Sequence, residues 1–221
     1  MGGFEDAFKL IHTNPDLFGL VVKELAIRKI PYIESAAEFN PDGILLTAFL
    51  EGTDLVSPGF WREQIKPGHK LMVKESKKHG MKTLLWFLGG CLPLLEDFID
   101  LGIDALVVEQ SRCAYSSDPG EIREIIGDRI CLFGWSPEMA MINNNRREIT
   151  RTVEHQIKSA GLDGSFAMGT TFLTGETDPE TVNFYCDEIV RSNRQFLLVC
   201  FYLYRKYSLS NLVNISRYYW I

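Results

Sequence analysis

Residues 82–110 read KTLLWFLGGCLPLLEDFIDLGIDALVVEQ. Two apolar runs, Lys82–Leu88 and Asp104–Glu109, flank a short helix-like stretch, and a glycine pair with Cys91 stands where the first run stops. A half-exposed strand alternates apolar and polar residues. These runs are continuous, as strands covered on both faces are. The stretch therefore reads as one β-α-β unit. The open question is whether WFLGGC is a reactive turn or only the loop that joins a strand to its helix.

Working outward, three more runs have the same character: Gly43–Leu50 (GILLTAFL), Arg129–Trp135 (RICLFGW) and Ser165–Phe172 (SFAMGTTF). Helical stretches separate them, and five open with one device: Asn14-Pro15, Ser57-Pro58, Asp118-Pro119, Ser136-Pro137 and Asp178-Pro179. Each places a side-chain acceptor at the N-cap and a proline at the first helical position, where the missing N–H costs nothing. Glu121, three residues after Asp118, adds a capping-box pattern. Strands spaced a few tens of residues apart suit βαβ crossovers, so the fold class is α/β with a parallel sheet. Right-handed crossovers put the C-terminal ends of all strands on one side, where a site forms in either a barrel or an open sheet.

Composition narrows the function classes. A net charge of −6 argues against a broad basic face for nucleic acid. Five cysteines with no CxxC spacing indicate neither a disulfide framework nor a compact zinc motif, and a reduced cytoplasmic setting follows as the default. The start, MGGFEDAFKL, lacks the pattern of a secretion signal, and the longest apolar run, Phe196 to Tyr204, is about half of what a membrane-spanning helix needs. From Arg194 to Ile221 there is no Asp or Glu, and five of the eight tyrosines fall there. Residues 193–221 therefore read as an atypical aromatic tail, either a foreign extension or a strand covering a sheet edge.

The residues just after each strand carry the candidate chemistry. Glu51, near Asp54, offers a carboxylate pair suited to a cation or to acid and base work, with solvated loop acids as the plainer alternative. Glu109 and Gln110 end the third strand, and Arg112 two residues on suits a carboxylate-bearing substrate unless it only pairs with a neighbouring acid. Cys91, at a predicted helix start, is a lone thiol. All four histidines fall in helical segments, so it has no partner base and reads as a packed apolar residue. Thr170 and Thr171 supply hydroxyls that strand propensity explains equally well.

Four collinear segments resemble the uroporphyrinogen decarboxylase family, including its cobamide methyltransferase relatives. These are LVSPGFWREQIKPGHKLMVKESKKHGMKTLLW, LGIDALVVEQ, IIGDRICLFGW and MGTTFLTGETDPETVNFYCDEIV, and the match covers roughly residues 4–192. The resemblance implies a TIM-type (β/α)8 barrel with about five of its strands present. Residues 1–192 would then be a partial domain corresponding to the C-terminal portion of a family member.

What the resemblance implies about function is decarboxylation of a tetrapyrrole carboxylate, a carboxy-lyase step of porphyrin biosynthesis. Glu51 and Glu109 would be the catalytic carboxylates, and Arg112, Gln110, Thr170 and Thr171 would bind substrate. A carboxylate in that chemistry binds pyrrole N–H groups and stabilises a protonated ring as CO2 leaves, with no cofactor. The alternatives are a corrinoid-dependent methyltransferase relative and a non-catalytic truncated product that self-associates, so a homo-oligomer is one expected state. The methyltransferase branch binds zinc through a His-x-Cys-Gly motif and a later Cys. The matching positions here are Trp86, Leu88, Gly89 and Thr170, so no metal is expected.

Overall fold

The computed structural model describes residues 3–161, 164–170 and 173–192. The described chain divides into two compact units, one ending at Asp104 and one beginning at Ala105. The expected tail, residues 193–221, lies outside the described residues. Among those described, no helix is long and apolar enough to cross a membrane.

The first unit opens with α1 (Phe4–Thr13) and α2 (Pro15–Ala37), then β1 (Gly43–Ala48). A short α3 (Pro58–Phe60) runs through a π-helical turn (Trp61–Ile65) into α4 (Lys66–Lys78). Next come β2 (Lys82–Phe87), a 3-10 turn (Leu92–Leu94) and α5 (Leu95–Leu101). β1 and β2 pair in parallel from Gly43 with Lys82 to Ala48 with Phe87. Leu46, Ala48, Leu85 and Phe87 are at most 1% exposed. Their core is completed by Phe98, whose ring lies 5.0 Å from Phe87 and 5.5 Å from Trp61. Asp97, nearly buried, accepts from Arg62 Nε at 2.8 Å and Lys66 Nζ at 2.9 Å, which ties the π-turn and the start of α4 to α5.

The second unit contains β3 (Ala105–Val108), α6 (Pro119–Ile126), β4 (Cys131–Phe133), α7 (Glu138–Ile142), α8 (Arg146–Ala160), β5 (Phe166–Ala167) and α9 (Pro179–Ser192). β3 pairs in parallel with β4, and β4 with β5. Leu106, Val108, Ile122, Ile126, Leu132, Ile149 and Val153 are fully buried. Burial on this scale is the main stabilising contribution, at about 25 cal/mol per Å² of apolar surface.

All five runs read as strands from the sequence are strands, though β5 is two residues long. Ser165 just before it sits at φ 53°, outside the extended region. Four of the five caps that precede a proline form as expected. Asn14 accepts from Leu17 N, Ser57 from Phe60 N, Asp118 from Gly120 N and Glu121 N, and Asp178 from Glu180 N. Ser136 does not cap: α7 begins at Glu138 without a side-chain cap, and the Ser136 hydroxyl is buried with no partner among the described residues. The capping box also fails. Glu121 accepts from Ser116 Oγ at 2.6 Å, and Asp118 N donates to that same hydroxyl instead of to Glu121.

Candidate functional site

The WFLGGC turn interlocks with the loop after β1. Thr53 donates to Gly90 O through both its backbone N (2.9 Å) and its hydroxyl (3.0 Å), and Gly90 N donates to Asp54 Oδ1 at 2.8 Å. A methyl group on Gly89 would lie 2.9 Å from Gly52 Cα, and Gly89 holds φ 103°, so only glycine fits there. Asp54, exposed, gives Oδ1 to this clasp. Cys91, wholly buried, has its thiol pushed up to about 12 by desolvation, which makes it a packing residue.

Glu51 sits three residues beyond the end of β1, directly after Leu50, whose φ of 66° is rare for a side chain of that size. Two donors converge on its Oε2: Trp61 Nε1 at 3.3 Å and His69 Nε2 at 2.7 Å. Trp61 is fully buried, His69 is 4% exposed, and their rings stack with centroids 5.9 Å apart. His69 Nδ1 is buried without a partner. A proton there would be an unsatisfied buried N–H, so the geometry favours the tautomer protonated at Nε2, which donates to Glu51. Oε2 is thus saturated, and Oε1 has no partner among the described residues.

The π-turn explains how two helical residues eight apart reach one carboxylate. Its extra residue per turn brings an eight-residue spacing close to what seven gives in a regular helix, so Trp61 and His69 share a face. The loop that presents Glu51 is apolar at its surface: Phe49 is 43%, Leu50 53% and Leu55 42% exposed. Phe49 also stands edge-on to Trp86 at 5.2 Å.

In the second unit Glu109 directly follows β3, buried, with both oxygens engaged. Arg112 Nη2 donates to Oε2 at 3.1 Å and Tyr115 OH donates to Oε1. Arg112 and Tyr115 exchange two backbone hydrogen bonds of 3.1 Å, which closes a tight turn and leaves the Arg112 side chain 57% exposed. Glu109 holds the guanidinium even further above its usual range, while burial foremost, followed by the same carboxylate, pushes the Tyr115 phenol up. Gln110 is half-buried, Thr170 is exposed, and Thr171 lies outside the described residues. The stretch after β5 is fixed by Tyr185 OH, which donates to Gly169 O at 2.7 Å. After β4, the buried Gln156 amide accepts from Trp135 N at 3.0 Å and donates to Trp135 O at 2.7 Å.

Of the six residues expected at the site, Glu109 and Arg112 are thus in contact within the second unit, while Glu51 is held in the first by partners not anticipated. His69, Trp61 and Tyr115 escaped sequence reasoning. A search of strand ends misses the histidines because they lie in helices, although a carboxylate after a buried strand needs donors and the following helix is their nearest source. The positions that the resemblance sets against the zinc ligands of the methyltransferase branch carry an indole (Trp86), an alkyl chain (Leu88), a glycine (Gly89) and a hydroxyl (Thr170), a set that does not fit that ion. Among the described residues no group of three His, Cys, Asp or Glu is placed to hold a metal.

No family model matches the sequence, and no curated protein matches it. Among solved structures, a methyltransferase from Methanosarcina mazei is similar, with a TM-score of 0.68 at 22% identity over 87% of this chain and 53% of that one. This likeness shows the fold: an α/β arrangement of five parallel strands and helices, consistent with an incomplete TIM-type barrel. The chain spans about half the length of that methyltransferase.

Proposed function

We propose that the chain presents a carboxylate-centred site for a flat ligand bearing N–H donors, of the uroporphyrinogen decarboxylase type. The observation that carries this reading is Glu51. One oxygen is pinned by Trp61 and His69, the other has no partner among the described residues, and the loop around it exposes apolar side chains. Such a carboxylate accepts pyrrole N–H groups without reorganising, and it stabilises positive charge as it develops on the ring.

In the reaction of this type, the bond between an acetate arm's methylene and its carboxylate breaks and CO2 leaves. The bonding pair passes into the protonated ring, the methylene carbon then takes a proton to become a methyl group, and the ring gives back the proton that had charged it. Glu51 acts as the electrostatic group. Glu109 acts through Arg112, since both its oxygens are engaged and the guanidinium it holds is open to solvent for a propionate or acetate arm. By the resemblance, Gln110, Thr170 and Thr171 are further candidates for substrate binding. A second reading, methyl transfer with a corrinoid, is favoured by the fold likeness. A third, a non-catalytic product, predicts neither chemistry.

The test uses uroporphyrin as a stable probe, titrated while its main absorbance band is followed. Glu51→Gln should weaken binding by at least about tenfold, the size of a lost charge-assisted hydrogen bond. Arg112→Ala should lower affinity for octacarboxylate over tetracarboxylate porphyrins. Release of CO2 from the reduced porphyrinogen would support the carboxy-lyase reading, whereas demethylation of methylcobalamin would support the second. Binding indifferent to Glu51→Gln would overturn the proposed site.

A further inference from the structure

The two strand-end carboxylates are held by different kinds of donor. Glu109 is paired with a charged group, the Arg112 guanidinium at 3.1 Å. Glu51 instead receives two neutral donors on Oε2, the Trp61 indole N–H at 3.3 Å and His69 Nε2 at 2.7 Å. His69 is 4% exposed and its Nδ1 has no partner among the described residues, so a second proton on the ring would be a buried N–H without an acceptor. The cations of the same helical stretch are committed elsewhere. Arg62 and Lys66 bind Asp97 at 2.8 and 2.9 Å, Lys66 also binds Asp100 at 2.9 Å, and Lys70 acts on Asp100. Asp54, in the same loop as Glu51, gives Oδ1 to Gly90 N. Among the described residues Glu51 has no lysine or arginine partner. His69 thus orients the carboxylate without cancelling its charge.

Resting on Glu51 as the ligand's acceptor, as proposed above, we infer that His69 is a positioning residue that tunes this site for a cationic, metal-free ligand core. It fixes Oε2 and leaves Oε1, with the whole carboxylate charge, to the ligand. The Glu51 side chain is 22% exposed, so water screens that charge incompletely. A ligand that brings a positively charged N–H supplies both the missing hydrogen bond and the missing counter-charge, whereas a neutral N–H supplies only the first. A macrocycle whose centre is filled by a metal has no core N–H and supplies neither. A lysine at position 69 would reverse the preference, because it would donate to the same oxygen and neutralise it. Preferential binding of the protonated core also raises the basicity of the bound ligand, since a tenfold difference in affinity between two protonation states equals about one pH unit.

The experiment titrates uroporphyrin with acid, free and bound to the full chain, and reads core protonation from the change of the free-base visible bands into those of the protonated core. Circular dichroism over the same range verifies that the chain stays folded. With the wild type the midpoint should lie about one pH unit higher for bound than for free porphyrin. His69→Gln places an amide N–H where Nε2 stood and should keep that shift, while His69→Phe removes the donor and should weaken binding by about fivefold. His69→Lys should return the bound midpoint to the free value. A second measurement needs no change at position 69: copper uroporphyrin, flat but without core N–H groups, should bind the wild type at least about tenfold more weakly than the metal-free form, and Glu51→Gln should remove most of that difference. A bound midpoint at or below the free one, a shift retained in folded His69→Lys, or copper uroporphyrin bound as tightly as the metal-free form overturns the inference even where Glu51→Gln still weakens binding. The Glu51 site itself falls only if binding is indifferent to Glu51→Gln, so the two failures are distinguishable.

Discussion

Gln156→Met tests how the loop after β4 is held. Gln156 is wholly buried, and its amide satisfies both polar groups of the Trp135 peptide, the N–H at 3.0 Å and the C=O at 2.7 Å. Methionine keeps an unbranched side chain of similar volume, so little cavity cost arises. What remains is two buried backbone groups without partners, at about 1–3 kcal/mol each. Partial relaxation of the loop reduces the sum, and about 3 kcal/mol is the expected loss. With a urea slope of about 2 kcal/mol per M, the transition of the second unit should move down by about 1.5 M. Circular dichroism follows the transition, while hydrogen exchange of the peptide spanning residues 129–137 reports whether the effect is local. Gln156→Asn should be nearly as costly, because the shorter amide cannot reach both groups. A shift below about 0.3 M for both variants would mean that the Trp135 peptide already exchanges with water, and the argument from unsatisfied groups would be wrong.

Three further outcomes are expected. Gly89→Ala should cost about 3 kcal/mol, because alanine is strained at φ 103° and its methyl would lie 2.6 Å from Asp54 Oδ1. Gly52→Ala strikes the same contact, so the double variant should cost less than the sum in chemical unfolding. Asp118 is held below its ordinary carboxyl pKa of 3.8: burial opposes this, but the His155 partner and the capped N–H groups of α6 outweigh it. Its stabilisation is therefore complete above pH 3.8 and disappears as pH falls through the lower folded value. Asp118→Asn should flatten the acid limb of the melting temperature below about pH 4. Finally, a thiol reagent at pH 8 should label the exposed Cys113 and Cys186 rapidly, and Cys91, at about 12, only on unfolding. Labelling of Cys91 at the rate of Cys113 would contradict its burial.

The five strands were legible because each is a short continuous apolar run bounded by helix signals, a property of neighbouring residues alone. The caps at Asn14, Ser57, Asp118 and Asp178 were legible for the same reason: acceptor and N–H are two or three residues apart. Ser136 shows the limit, since the peptide beside it is held by Gln156, twenty residues away, and the helix starts later. The capping box at Glu121 failed because Ser116 offered that carboxylate a hydroxyl.

Sequence by itself determined that this chain alternates helix and parallel strand, and that Glu51 and Glu109 stand at strand ends. Local periodicity and the direction of βαβ crossovers fix both. Only the tertiary structure decided what those carboxylates are bonded to. A π-turn aligns Trp61 with His69 on Oε2 of Glu51, and a two-bond turn brings Arg112 and Tyr115 onto Glu109. It also decided that WFLGGC is a clasp onto Gly52 and Asp54 rather than a reactive turn. The physical reason is common to all three. Hydrogen bonds between segments depend on where helices pack against strand ends, and that geometry is set by the whole core rather than by any window of residues.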